Sequence, residues 1–197
     1  MSNYCTIAEV KAVLGIGDTT YDTILTRLVD TVSRAIEDKT GRVFYPSDTE
    51  TRNYLPESSG YCIIDDCNTF TSLVAQNSTW TLGQDFYLQP INAAFQGIPF
   101  TSIRTIARPF LFTKADVPTT WSVLDGRVQV TGSFGWAATP GPIHDAAILM
   151  AERMFKRQRE APTGFFSTGV DSPVVRVRAF DPDVAELLSP YTITFIA

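Results

Sequence analysis

Ile24-Leu25-Thr26-Arg27-Leu28-Val29-Asp30-Thr31-Val32-Ser33-Arg34-Ala35-Ile36-Glu37-Asp38-Lys39-Thr40-Gly41 is the stretch that decides the fold. Ile24, Leu25, Leu28, Val29, Val32, Ala35 and Ile36 recur at steps of three and four, while Arg27, Asp30, Arg34, Glu37 and Asp38 fall mainly on the other face. One apolar stripe on a 3.6-residue period makes a long amphipathic helix, and Gly41 supplies the residue that ends it. Upstream, Thr6 and Glu9 form a capping-box pair ahead of Val10, Val13 and Leu14, and Gly15 offers a left-handed stop. A polar turn at Gly17 to Thr20 joins the two helices.

Beyond the long helix the period changes. From Val43 to Thr131, short apolar runs such as Tyr61–Ile64, Phe86–Leu88 and Ile103–Ala107 alternate with Asn, Gly, Pro, Ser and Thr, so this middle is all-β and loop-rich. Trp121 to Leu124, Asp125-Gly126 and Arg127 to Thr131 together predict a hairpin with a two-residue turn. Pro140-Gly141-Pro142 then breaks the chain and opens a third helix, with Ile143, Ala146, Ala147, Met150, Ala151 and Met154 as its buried stripe. Pro162 and Gly164 start a loop holding Phe165 and Phe166, and Val174 to Arg178 alternates like a strand. Asp181-Pro182 caps a short helix, Val184 to Leu188, which Ser189-Pro190 ends.

The expected fold is therefore α+β. A small helical core of two N-terminal helices, a third helix and a short C-terminal helix (1–45 and 132–190) carries a β-rich insertion (46–131) and a C-terminal tail (191–197).

Composition narrows the function. Hydrophobic residues make up 44% of the 197, charged residues only 19% and aromatics 12%. Few charges and many aromatics suit a subunit that buries its outer surface against neighbours, and equally a β-rich domain with an aromatic core. A net charge of −5 argues against tight, salt-sensitive DNA binding by the isolated chain. Cys5, Cys62 and Cys67 cannot all pair with one another, and no charged-then-apolar leader or bilayer-length apolar run stands in the sequence. The expectation is maturation in a reducing cytoplasm, with thiols buried and free.

Catalytic constellations are sparse. His144 is the one histidine, in the first turn of the third helix, and no Walker loop, G-x-S-x-G elbow or H-E-x-x-H pair occurs. Cys62 and Cys67 flank Asp65 and Asp66, but a zinc site would want a second Cys/His pair, so a turn with buried thiols is the better reading. Asp181 and Asp183 read as helix-capping residues rather than an acid–base couple. No enzyme, metal or cofactor is expected.

Two features point to partners instead. Arg153, Lys156 and Arg157 share one face of the third helix, with Arg159 beyond them, and Arg176 and Arg178 share one face of their strand. They are either a solvated face that complements a helix C-terminus, or contacts with a neighbouring subunit or with DNA in a channel. The tail Tyr191-Thr192-Ile193-Thr194-Phe195-Ile196-Ala197 is uncharged and β-prone, an exposed-edge liability unless it folds back or adds a strand to a partner. Tyr191, Ile193, Phe195 and Ile196 are its candidate docking residues.

Residues 4 to 45, from Tyr4-Cys5-Thr6-Ile7-Ala8-Glu9-Val10-Lys11 to Thr40-Gly41-Arg42-Val43-Phe44-Tyr45, resemble the opening of head–tail connector (adaptor) proteins of tailed bacteriophages. Trp80-Thr-Leu-Gly-Gln-Asp-Phe-Tyr-Leu-Gln-Pro90 resembles the strand pair common in their inserts. Val130-Thr-Gly-Ser-Phe-Gly-Trp136, Pro142, Ala146 to Arg157 and Pro162-x-Gly164 resemble their return to the helical core. The β insertion is longer than that family's compact core.

The resemblance implies a structural subunit of the virion neck, made in the host cytoplasm and assembled as a ring, dodecameric in number. The ring would dock beneath the portal protein after packaging, extend the channel for passing genomic DNA without sequence-specific binding, and meet the next neck or tail protein, with no membrane involved. Alternatives are another virion protein (tail completion or head decoration) and a carbohydrate-binding β module built on Trp80, Trp121 and Trp136. Those tryptophans read better as core or interface anchors.

Overall fold

A computed structural model describes residues 2–111, 126–160, 165–166, 175–176 and 181–193. Their elements are five α-helices and a six-stranded antiparallel sheet, with a separate two-stranded ladder, an α+β fold. The chain divides into two compact units, 1–42 with 139–197, and 43–138.

In the first unit, α1 (Ile7–Leu14) begins at the capping box read from the sequence. The Glu9 amide donates to the Thr6 hydroxyl, and the Glu9 carboxylate accepts from the Thr6 amide at 2.7 Å. Gly15 at φ 68° ends it, as Gly41 at φ 68° ends α2 (Asp22–Thr40). The positive φ at both stops is the conformation glycine adopts without a Cβ penalty. Leu25, Leu28, Val29, Val32 and Ile36 of α2 are buried, as the stripe required.

The third long helix, α4 (Gly141–Glu160), packs against α1, α2 and α5 (Pro182–Leu188). Its buried stripe is Ile143, Ala146, Ala147, Met150, Ala151 and Phe155. Met154, expected in that stripe, is only half-buried, because the 3.6-residue period carries the stripe from Ala151 to Phe155. Three alanines in one stripe let helices approach closely, and Phe155 fills the space at the far end, edge-on to Tyr21 at 5.3 Å between ring centres.

In the second unit, the strands are β1 (Thr49–Tyr54), β2 (Tyr61–Ala75), β3 (Ser78–Trp80), β4 (Phe86–Gln89), β5 (Phe100–Thr105) and β6 (Val128–Phe134), with a one-turn helix α3 (Ala93–Gln96) after β4. The order across the sheet is β1-β6-β2-β5-β4, and β3 pairs with β2. Fifteen-residue β2 serves two neighbours: Tyr61–Ile63 faces β5 and Thr69–Ala75 faces β6, with register shifts between Ile63 and Cys67 and again between Phe70 and Ser72. Such bulges bend and twist a strand locally. Cys62, Leu73, Phe86, Ile103, Val128 and Val130 are fully enclosed, and burying each such side chain contributes on the order of 1.5–3 kcal/mol.

Three expectations are corrected here and a fourth is made specific. Asp65 and Asp66 lie inside β2, not in a turn, since no Gly or Pro flanks them to break the strand. The hairpin at Asp125-Gly126 does not hold its second arm as predicted: Val128–Ser133 has both edges taken, by β1 and by β2, while 121–125 lie outside the described residues. The strand pair expected within Trp80–Pro90 is two strands that border others, since β3 joins β2 and β4 joins β5. Phe165–Phe166, expected in a loop, forms strand β7 and pairs with β8 (Val175–Arg176).

Candidate functional site

The basic face of α4 is the first candidate, and acidic residues meet it. Asp181 occupies the N-cap position of α5 with extended backbone (φ −75°, ψ 152°), yet its side chain makes no capping hydrogen bond. Its carboxylate instead accepts from Arg157 at 2.9 Å and lies 3.1 Å from Arg153, which also pairs with Asp183 in the first turn of α5. The capping role expected of Asp181 is thus displaced: charge-assisted bonds to two guanidinium groups are stronger than one bond to a neutral amide. Hydrogen bonding to Asp183 raises the Arg153 pKa, and the same bond lowers that of Asp183. Both remain ionised throughout the neutral range, so the clasp persists there.

Lys156 turns to Glu152 one helical turn back, at 2.6 Å. Arg159 lies over the rings of Tyr21 and Phe155, 5.4 and 5.8 Å from their centres. Arg176 takes part in the β7–β8 ladder through its backbone, opposite Phe165, and Arg178 lies outside the described residues. The described side chains of this set take up different partners. Arg153 and Arg157 tie α4 to α5, and Lys156 serves its own helix.

The tail is the second candidate. Tyr191 closes a 3₁₀ turn, Ser189–Tyr191, and the chain then runs back to α2. The Ile193 amide donates to the Thr40 carbonyl at 2.9 Å, filling one of the acceptors a helix C-terminus leaves open. The Ile193 side chain lies over Gly41, where an added Cβ would meet its Cδ1 at 3.7 Å. Phe195 and Ile196 lie outside the described residues.

Titratable groups elsewhere are structural in their surroundings. His144 Nε2 is 3.1 Å from Glu9 and Nδ1 is 3.3 Å from Asp145, joining α4 to α1. Desolvation alone would lower the His144 pKa, but its bonds to the two carboxylates outweigh that and raise it. Asp65 accepts from Arg52 at 2.8 Å and from Tyr54 at 3.1 Å. Asp66, almost enclosed, accepts from the Trp136 indole at 3.1 Å. All three cysteines are buried and unbridged, with thiols pushed up by burial to about 11 for Cys5 and Cys67 and about 12 for Cys62.

Among the described residues no three His, Cys, Asp or Glu side chains gather to hold a metal, and no helix is long and apolar enough to cross a membrane. Trp80 is enclosed and stacked on Phe110, 5.1 Å between ring centres and 3° between planes, so it offers no face to a sugar.

Comparison with known proteins bears on the same segments. Residues 4–68, comprising α1, α2, β1 and the start of β2, match the family model of phage gp6-like head-tail connector proteins. The first third matches the head–tail connector family. The connector resemblance read at residues 4–45 is thereby shown on an independent footing, and it reaches into the sheet.

No curated protein matches the chain in sequence. Solved structures do match it in fold. One chain from "Neck of empty GTA particle computed with C6 symmetry" superposes with a TM-score of 0.57 at 17% identity, over 97% of this chain and 90% of that one. A chain from "Neck of native GTA particle computed with C12 symmetry" gives 0.53 at 15%, with the same coverages. A third, from "Virion of native gene transfer agent (GTA) particle", gives 0.54 at 16%, again over 97% and 90%. At such identities the likeness establishes a shared fold.

Proposed function

We propose that the chain is a structural head–tail connector subunit of a phage-like particle, resident in the virion neck. Identical copies form a ring below the portal protein, extend the DNA channel and offer a surface to the next neck or tail protein. The observation that carries this reading is the match of residues 4–68 to the connector family. The fold shared with chains of gene-transfer-agent necks, described with C6 and C12 symmetry, supports it.

The residues accord with a scaffold. Arg153 and Arg157 stiffen the helical unit through Asp181, and a net charge of −5 lets duplex DNA pass without being held. A ring also needs two unlike contact faces on every subunit. The tail beyond Ile193 is the segment we assign to docking on a neighbour or on the portal.

The test is electron microscopy of the purified protein, alone and mixed with portal rings of its own particle. Closed rings, free or seated on the portal, are the expected result, and a chain that stays solitary in both would overturn the reading. Truncation after Ile193 keeps the Thr40 bond, so it should leave the fold intact while lowering particle yield. Unchanged yield would remove the tail from the docking role.

A further inference from the structure

We infer that Ile193 is a strap whose release loosens Arg42, the residue at which the chain leaves the helical unit for the 43–138 unit. The tail and the outgoing chain are fastened to one residue, Thr40 at the end of α2, so freeing the first frees the second.

Thr40 is 1% exposed, and its hydroxyl and its carbonyl are both engaged. The hydroxyl donates to the Ile36 carbonyl at 2.8 Å, the back-bond a helical threonine makes to the preceding turn. The oxygen of that hydroxyl accepts from the Arg42 amide at 3.3 Å. The Thr40 carbonyl accepts from the Ile193 amide at 2.9 Å. Gly41 lies between these two bonds, and the Ile193 side chain lies over it. A Cβ placed at Gly41 would stand 3.7 Å from Ile193 Cδ1 and 3.8 Å from its Cβ. One side chain therefore shields the peptide that links the two bonds.

The strap has a firm root. The Thr192 amide donates to the Ser189 carbonyl at 3.3 Å, and its hydroxyl donates to the carbonyl of fully buried Leu188 at 3.1 Å. From there the chain reaches α2 through extended backbone at Thr192, φ −75° and ψ 127°. Extended backbone is also what a strand needs, and each residue has one backbone N–H to give. The Ile193 amide therefore serves either α2 or a strand added to a partner. Withdrawing it uncovers Gly41, lets water compete for the Thr40 carbonyl and hydroxyl, and exposes the Arg42 amide. The coupling is a property of the single chain; only its use by a docked neighbour rests on the role proposed above for the tail.

Native-state hydrogen exchange on the purified full chain tests the strap with no partner present. The Ile193 and Arg42 amides should open together: their protection factors should agree within about threefold and fall in parallel as denaturant is added. A larger gap in either direction would overturn the inference. Ile193→Pro serves as a second arm. It removes the donor, and the extended backbone of Thr192 suits the residue before a proline. Exchange of the Arg42 amide should then rise at least tenfold while the Val29 amide, in the middle of α2, keeps its wild-type rate. Unchanged exchange at Arg42 would count against the strap. Should the variant unfold, so that Val29 exchanges as fast as Arg42, the wild-type comparison decides. Neither arm depends on a ring. A chain that stays solitary beside its portal would sink the connector reading and leave the strap standing, whereas uncoupled amides would sink the strap alone.

Discussion

Arg157 and Asp181 face each other at 2.9 Å, so the end of the longest helix grips the residue that opens the last one. Twenty-three residues separate them along the chain. Arg153 joins from one turn earlier, and a single carboxylate thereby orients two guanidinium groups.

Replacing that carboxylate tests the clasp. Asp181→Asn should cost about 1–2 kcal/mol in denaturant unfolding, the range for charge-assisted bonds at partly covered sites. The loss should shrink in 1 M salt. An unchanged midpoint at low salt would mean that buried Val184 and Leu188, with the Arg153–Asp183 pair, hold α5 without Asp181.

The bridge from His144 to Glu9 makes a pH prediction with a definite sign. The folded-state pKa of His144 is raised, so its contribution is complete below about pH 6.5, the ordinary histidine value, and vanishes as pH rises through the raised one. Glu9 is lowered, chiefly by the Thr6 amide, so its part is complete above its ordinary value and is lost as pH falls through the lowered one. His144→Gln should therefore be less stable than wild type near pH 6 and indistinguishable from it near about pH 9. Both side chains are more than a third exposed, so the difference should be only a few tenths of a kcal/mol. Melting curves at the two pH values check it, and a deficit that grows with pH would refute the bridge.

Thiol reactivity should report burial. With Cys5, Cys62 and Cys67 enclosed and their thiols pushed up, Ellman's reagent at pH 8 should find almost no thiol in the native chain and all three after denaturation. Rapid labelling of Cys62 in the native state would contradict the sheet core described above.

Gly135 should be intolerant of any side chain. It sits at φ 97°, and a Cβ there would stand 2.1 Å from the Tyr45 carbonyl oxygen, which is backbone and cannot yield. Gly135→Ala should cost about 3 kcal/mol or more, seen as a lowered melting temperature. Gly83→Ala, also at positive φ but with open space around it, should cost about 1 kcal/mol.

The helical unit was largely legible in the sequence because its signals are local. Thr6 and Glu9 lie within hydrogen-bonding range of each other in any helix start, and the stripe of α2 follows from spacing alone. The sheet was legible in kind but not in pairing. Which strand borders β6 depends on β1 and β2, far away in sequence, and the Asp125-Gly126 signal points only to its immediate neighbours. Asp65-Asp66 reads as a turn until Arg52, Tyr54 and Trp136 are known to receive the two carboxylates. Asp181 reads as a cap for the same reason: the competing arginines lie more than twenty residues upstream. Phe155 went unread where Met154 was chosen, a difference of one position on the same helix.

One hydrogen bond at the base of the sheet has a wider consequence. The Trp136 amide donates to the Val43 carbonyl at 3.2 Å, so the first and nearly the last residues of the 43–138 unit are stitched side by side. A module whose two ends are stitched to each other can gain or lose residues in the loops between them while its ends stay where they are.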